Sequence, residues 1–354
     1  MTSVETHAIP LGIGARTRRK IRSVLNHVLG IARECSFPFR VRWLSGARSV
    51  AADDDEFVVV CLVRNGAIYL QEFLRHYREL GAKHIVLLDN ISSDGTPELA
   101  AGESDVTVLS TPAPYKSYKD IMKRWLVARF GRGNWVLCVD VDELFDYPFR
   151  GAVGTADLLR YLNRRGFTGV VAQMLDLFPR GAITEVSNAN WRTEHRCYNL
   201  SDVEKESYTA FYNGSNETPA GDLELFRGGI RLSAFGAKPL LTKHPLLFPH
   251  RGLAYVNAHH VSGARVADLT AVLLHYKYAG DFVDYVKDIV ESESFWNNSR
   301  EYKQYLDAIE ADPQLSLYSG AASEFSSVEL LLEQGFLVAS DSFRDEVERQ
   351  RRRS

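Results

Sequence analysis

From residue 57 onward the apolar positions alternate between two rhythms. "FVVVCLV" (57–63) is an unbroken apolar run, with the length and β-branched content of a strand buried on both faces. "AIYLQEFLRHYRELG" (67–81) then spaces its apolar residues as a helix does and closes on Gly81. "HIVLLD" (84–89) reads as a second strand, "SSDGTPELA" (92–100) as a turn and helix start, and "VTVLS" (106–110) as a third strand. "SYKDIMKRWLVARFG" (117–131) is a helix ended by glycine, and "WVLCV" (135–139) a fourth strand. Strands alternating with helices predict an α/β fold, with a mostly parallel sheet and helices on both faces. Ligands of such sheets bind at the carboxyl ends of the strands. Three of the expected ends carry polar groups: Arg64-Asn65, Asp89-Asn90, and Asp140, Asp142 and Glu143.

The second half is less regular. "GVVAQMLDLFP" (169–179) resembles another strand, and a loop-rich stretch runs to about residue 225. "FRGGIRLSAFG", "LTKHPLLF", "AHHV" and "AVLLHYKY" follow, and residues 281–312 show helical spacing. The expected organisation is a basic N-terminal extension over 1–50, a catalytic domain over 55–280, C-terminal helices over 281–340, and a charged tail over 341–354 that frays. Within the extension, Ile21, Val24, Leu25, Val28, Leu29 and Ala32 follow helical spacing among many arginines. Such a helix fits peripheral contact with an anionic membrane surface through residues 16–33. The competing reading is a helix packed on the domain with a solvated basic face.

Composition narrows the class. A net charge of −3 offers no whole-chain case for nucleic-acid binding. Four cysteines without a CxxC pair, two of them inside apolar runs, read as buried free thiols and fit the cytoplasm. No apolar stretch approaches the ~18 residues that suggest a membrane span.

The chemistry centres on "VDVDELF" (139–145). Four acids, Asp140, Asp142, Glu143 and Asp146, crowd the end of a buried strand, where like charges need a metal ion, cations or water. On a continuing strand, Asp140 and Asp142 would share one face and could chelate Mg²⁺ or Mn²⁺. A solvated acidic turn is the bland alternative. Trp191, Tyr198, Tyr208, Tyr212 and Trp296 are candidates to stack on sugar rings, though aromatic residues more often pack.

With these stretches in order, the chain resembles the GT-A glycosyltransferases, specifically their family-2-like group. "VRNGAIYLQEFLRHYRELG" is similar to that group's RNE…YL.EWL.HH…G block. "DNISSDGT" is similar to DNGSTDGT, and "WVLCVDVDELF" to W.L.lDvDEF. The resemblance spans about residues 57–335. It implies a nucleotide-diphospho-sugar donor and a divalent metal. The function expected is transfer of a sugar to a glycan or glycolipid acceptor, and the basic N-terminal helix suits an acceptor of the cell envelope. The resemblance further implies that Arg64, Asn65 and Asp89 hold the nucleoside. Asp140 and Asp142 would hold ribose, diphosphate and metal, and a late histidine would complete the metal shell, with His275 first and His259 and His260 behind it. An inverting transfer needs a base, for which Asp176, Asp222 and Glu224 are the candidates. Arg227, Arg231, Lys238, Lys243 and Lys277 are the late cations available to a diphosphate. Gly66 stands where the family usually has an acid. Two other classes remain open: a metal-dependent phosphatase of haloacid-dehalogenase type, and a non-catalytic nucleotide- or carbohydrate-binding relative.

Overall fold

The computed structural model describes residues 28–185, 190–218, 223–280, 282–292 and 296–353. Asp222, residues 16–27 of the basic segment and the Trp296 side chain lie outside that description.

A nine-stranded sheet organises the chain. Its strands are β1 (Arg42–Ser45), β2 (Phe57–Val63), β3 (His84–Asp89), β4 (Val106–Ser110), β5 (Trp135–Val139), β6 (Glu143–Asp146), β7 (Gly169–Asp176), β8 (Thr242–Leu247) and β9 (Val266–His275). Their spatial order is β1-β4-β3-β2-β5-β8-β7-β9-β6. Strands β2 to β5, β7 and β9 run one way, while β1, β8 and β6 run against them. The expected α/β architecture is therefore present, with three reversed strands. The carboxyl ends of β2, β3, β5, β7 and β9 share one edge. Because β8 and β6 are reversed, their amino ends meet that edge too.

The two-residue alternation of β2 explains the layering. Val59, Cys61 and Val63 point into one apolar cluster, and Val58, Val60 and Leu62 into another. Helix α1 (residues 28–36 as described) precedes the sheet. On the first face lie α2 (Ala67–Glu79), through Leu70, Phe73, Leu74 and Tyr77, and α5 (Thr155–Arg165), through Leu158, Leu159 and Leu162. The short α3 (Thr96–Ala100) adds Ala100 to the same cluster. On the second face lies α4 (Tyr115–Phe130), through Met122, Leu126 and Val127. Each such fully buried aliphatic or aromatic side chain is worth about 1.5–3 kcal/mol of transfer free energy, so both faces contribute.

Three further elements sit at the carboxyl edge. The six-residue α6 (Ile230–Phe235) packs with α7 (Phe282–Ser292) and α8 (Trp296–Ala311) in a separate aromatic cluster that includes Phe235, Tyr278, Phe282 and Tyr305. The C-terminal stretch differs from expectation. Within residues 341–354, read as a fraying tail, Asp341–Arg351 form helix α10, which follows α9 (Val328–Glu333). The Ser340 hydroxyl caps α10 by accepting from the Phe343 amide, and Phe343 and Val347 enter the main core. High charge density hid two apolar residues at helical spacing. The N-terminal extension also differs, since β1 pairs antiparallel with β4 and Phe37 is fully buried. No described helix is long and apolar enough to cross a membrane.

Candidate functional site

The turns after β2 and β3 are stitched together by their polar side chains. Asn65 takes a left-handed backbone (φ 53°), a conformation asparagine tolerates better than most residues. Its amide donates to Ser92 Oγ (2.8 Å), and its Oδ1 accepts from the Ser93 amide (2.8 Å). The Ala67 amide, at the start of α2, donates to Asp94 Oδ2 (2.9 Å). Asp89 is buried, and both its oxygens accept from the Ser92 amide at 3.2 and 3.1 Å. Arg64 is exposed beside them. Gly66 fits closely here: a Cβ would lie 2.6 Å from Val63 Cγ2 and 3.2 Å from Val141. As the chain is folded, there is no room for the acid that the family pattern places at this position.

Asp140 and Asp142 do not lie on a continuing strand. β5 ends at Val139, and the chain turns so that the Glu143 amide donates to Asp140 O (3.1 Å) and the Asp140 amide to Glu143 Oε2 (3.1 Å). The reversal starts β6, and it sends the two acids to different partners.

Asp140 meets two lysines. Oδ1 accepts from Lys123 Nζ of α4 (2.5 Å), and Oδ2 accepts from Lys243 Nζ of β8 (3.2 Å). Lys243 also donates to the buried Glu143. Both lysines are buried, which is tolerable only because carboxylates face them. Burial pushes the Asp140 carboxyl up, but the two ammoniums outweigh it and hold it well below the usual carboxylate range. Burial likewise pulls Lys123 and Lys243 down, and their carboxylate partners more than restore them.

Asp142 meets His275. Strand registry places Asp176, His275 and Glu143 side by side, since β9 pairs His275 with Asp176 on one flank and with Glu143 on the other. His275 Nε2 lies 3.3 Å from Asp142 Oδ2, and Nδ1 lies 2.5 Å from Asp176 Oδ1. Arg231 of α6 closes the far side of Asp176 with a bidentate fork, Nε to Oδ2 at 2.8 Å and Nη2 to Oδ1 at 2.7 Å. Two positive-φ glycines, Gly228 (φ 78°) and Gly229 (φ 62°), turn the chain into α6, from which Arg231 reaches Asp176. Glu301 of α8 lies 3.5 Å from the same guanidinium. Burial raises the Asp176 carboxyl, but Arg231 and His275 together hold it far below the ordinary range. Burial lowers His275, and Asp142 and Asp176 outweigh it and shift the ring upward. Lys277, two residues further on, is shifted down by burial and by the nearby Arg231, and its Nζ lies over the rings of Tyr302 and Tyr305.

The other expected residues lie elsewhere or are packed. Glu224 pairs with Lys205 (2.7 Å) on a surface hairpin, and Arg227 and Lys238 pair with Glu206 and Glu204. His259 Nδ1 bonds Thr242 O (2.8 Å), beside Lys243, and His260 is exposed against Asn257. Trp191 donates to Ile68 O (3.1 Å), Tyr198 to Gln334 Oε1 (2.8 Å) and Tyr212 to His259 O (2.5 Å). Tyr208 bonds His244 Nε2 (2.5 Å), so these aromatic residues are seated in the fold. Sequence reasoning missed Lys123 and Glu301. Lys123 left one trace: it occupies the apolar stripe of α4, beside Met122 and one turn before Val127.

A hollow of ≈ 610 Å³ lies at the amino end of β2, lined by Glu56, Phe57, Glu79, Gly81, Arg150 and Thr155. Charged groups there are surface pairs such as Glu56–Lys83, whereas the buried cation–carboxylate network sits at the opposite edge. The carboxyl edge is therefore the candidate site. Comparison of the chain with protein-family models and with curated proteins returns no match.

Proposed function

We propose that the protein is a GT-A-type glycosyltransferase that moves a sugar from a nucleotide-diphospho-sugar to a glycan or glycolipid acceptor. One observation carries the reading. Asp142 and His275, chosen as metal ligands from different parts of the chain, face each other at 3.3 Å on the carboxyl edge. The other nitrogen of His275 rests on a carboxylate, Asp176, as the ring of a metal-ligating histidine commonly does.

The fit for a divalent cation is partial. Asp142 and His275 supply an oxygen and a nitrogen donor, which suits Mn²⁺ and, with phosphate oxygens and water, Mg²⁺. Asp140 is engaged by a lysine on each oxygen, and the lone pair left on each is what it could offer as a third donor. Among the described residues, no group of three or more histidines, cysteines or carboxylates is placed to hold a metal ion. When bound, such an ion would neutralise charge on the leaving diphosphate. The protein's own groups have distinct tasks. Lys123 and Lys243 hold Asp140 in place and bring positive charge to the strand end. Asp176, fixed by Arg231, orients His275, which assigns it to positioning rather than to proton abstraction. Asn65 and Asp89 lie in the turns after β2 and β3, to which the resemblance assigns the nucleoside. Buried thiols at Cys61, Cys138 and Cys197 suit a reducing cytoplasm.

The test is a thermal-shift panel of UDP-, GDP- and CMP-sugars with and without Mn²⁺, on wild type and Asp142→Asn. Ligand at about 100 times its Kd stabilises by about 2.7 kcal/mol, a shift of a few degrees. A metal-dependent shift with one nucleotide class, lost in the variant, is expected. If the folded wild type shows no shift with any of them, the donor-binding reading fails.

A further inference from the structure

The catalytic reading leaves the basic segment unused, and its described part, from residue 28, is only partly anchored to the fold. Helix α1 presents Val28, Leu29 and Ile31 to solvent, at 54%, 43% and 49% exposure. Val28 and Ile31, with Ala32 and Cys35, recur at helical spacing, so an apolar stripe faces outward without a partner among the described residues. Phe37 is the anchor: it is fully buried against Tyr118 and Trp125 of α4, with ring centroids 6.2 and 5.7 Å away. Two residues later Phe39 is 90% exposed, although its neighbour shows that this turn can bury a phenylalanine. On the edge strand β1, Arg42 and Leu44 share the outward side.

Charge accompanies these apolar groups. Between residues 28 and 48 the cations are Arg33, Arg40, Arg42 and Arg48, and the one acid, Glu34, is paired with Arg124. Arg33 and Arg40 lie over the Tyr118 ring at 5.9 and 5.5 Å, which holds them beside the apolar groups. The chain before residue 28 adds Arg16, Arg18, Arg19, Lys20 and Arg22.

We propose that residues 28–44 form a docking surface for an anionic lipid bilayer. Solvent-facing aliphatic and aromatic side chains interleaved with arginines match the acyl boundary and the phosphate headgroups of such a surface. A polyanion such as RNA would engage the arginines but gives no role to Val28, Ile31 or an outward Phe39. Helix α4 connects this surface to the candidate site. It seats Phe37 through Tyr118 and Trp125 and presents Lys123 to Asp140, with Tyr118 and Lys123 only about 8 Å apart along the helix axis. Where the transferase reading holds, a docked protein would take its acceptor from the lipid surface. The docking itself does not depend on that reading.

The experiment is co-sedimentation of the full chain with vesicles of phosphatidylcholine alone and with added phosphatidylglycerol, at low and high salt. Wild type should sediment with the anionic vesicles and be released by salt. Phe39→Ser should weaken partitioning about tenfold or more, from the loss of one inserted aromatic side chain. Arg42→Glu, alone or with Arg40→Glu, should weaken it by about fivefold or more for each charge changed. These positions are exposed, so unchanged melting temperatures will confirm folding; Arg42→Glu alone serves if loss of Arg40 from the Tyr118 ring disturbs it. Absence of sedimentation, or binding that neither variant weakens, overturns the proposal. So does binding that depends on the arginines but not on Phe39, which is the charge attraction that any anionic surface would give and not a docking of the apolar groups. A docking failure leaves the nucleotide-sugar shift untouched, and failure of that shift leaves the docking untouched.

Discussion

Replacing Lys243 by methionine tests the lysine–carboxylate cluster at the strand edge most directly. Lys243 Nζ lies 3.2 Å from Asp140 Oδ2 and also bonds Glu143, whose side chain is 1% exposed. Methionine fills similar space but carries no charge. Among the described residues, the Glu143 carboxylate would keep the Asp140 amide, at 3.1 Å, as its hydrogen-bond partner. Breaking a buried pair by deleting one partner costs about 3–5 kcal/mol, against 1 kcal/mol or less for a surface pair. With unfolding entropy of about 2.1 cal/mol/K per residue over 354 residues, the melting temperature should fall by about 4–7 °C. The double variant Lys243→Met/Glu143→Gln removes both charges, and it should recover a large part of that loss because no isolated carboxylate remains in the core. The assay is urea unfolding followed by circular dichroism on wild type, both single variants and the double. A loss below about 1 kcal/mol for Lys243→Met, or losses that simply add in the double variant, would refute the view that these groups form one buried cluster.

Other consequences follow from the same packing. Burial lowers His76 and His244 to about 4, from an ordinary histidine value of 6.5. Since the folded values are depressed, stability is complete above about pH 6.5 and is lost as pH falls toward 4, by about 3 kcal/mol for each ring. Urea midpoints measured across that window should show the slope, and His76→Gln, whose amide can still donate to Phe145 O, should flatten it. Introducing by Gly66→Glu the acid found at this position in the group the sequence resembles should cost about 1–3 kcal/mol through the clash with Val63, and Val63→Ala should recover part of the loss in a melting assay. Phe343→Ala, in the helix that sequence reading took for a tail, should cost about 3–5 kcal/mol; a loss below 1 kcal/mol would return α10 to the status of an appendage.

The sheet was legible wherever the chain buries both faces of a strand, because a run such as Phe57–Val63 admits few other readings. Reversed strands were harder to see. β6 is four residues long and follows β5 after a turn of three residues, so its acids looked like the end of one strand. That hid the different partners of Asp140 and Asp142, which depend on the turn. α10 was missed because its mean polarity masks two buried positions.

The site shows the same division between local and tertiary information. Acids clustered at a strand end announce themselves locally, since such a cluster needs compensation. The compensating groups cannot be read the same way. Lys123 lies 17 residues before Asp140 and Lys243 lies 103 after it, and the pairing exists only because α4 covers one face of the sheet and β8 inserts beside β5. Asp176 illustrates the cost of missing such partners. As a lone acid at the end of a buried strand it looked suited to take a proton. With Arg231 on both oxygens and His275 on one, its contacts are those of a group that fixes its neighbours, which is the role the proposed function gives it. Whether an acid at a strand end reacts or merely holds its neighbour is decided by cations delivered from remote parts of the chain. At this edge those cations arrive from α4, α6 and β8, the elements whose placement could not be inferred from the strand that carries the acids.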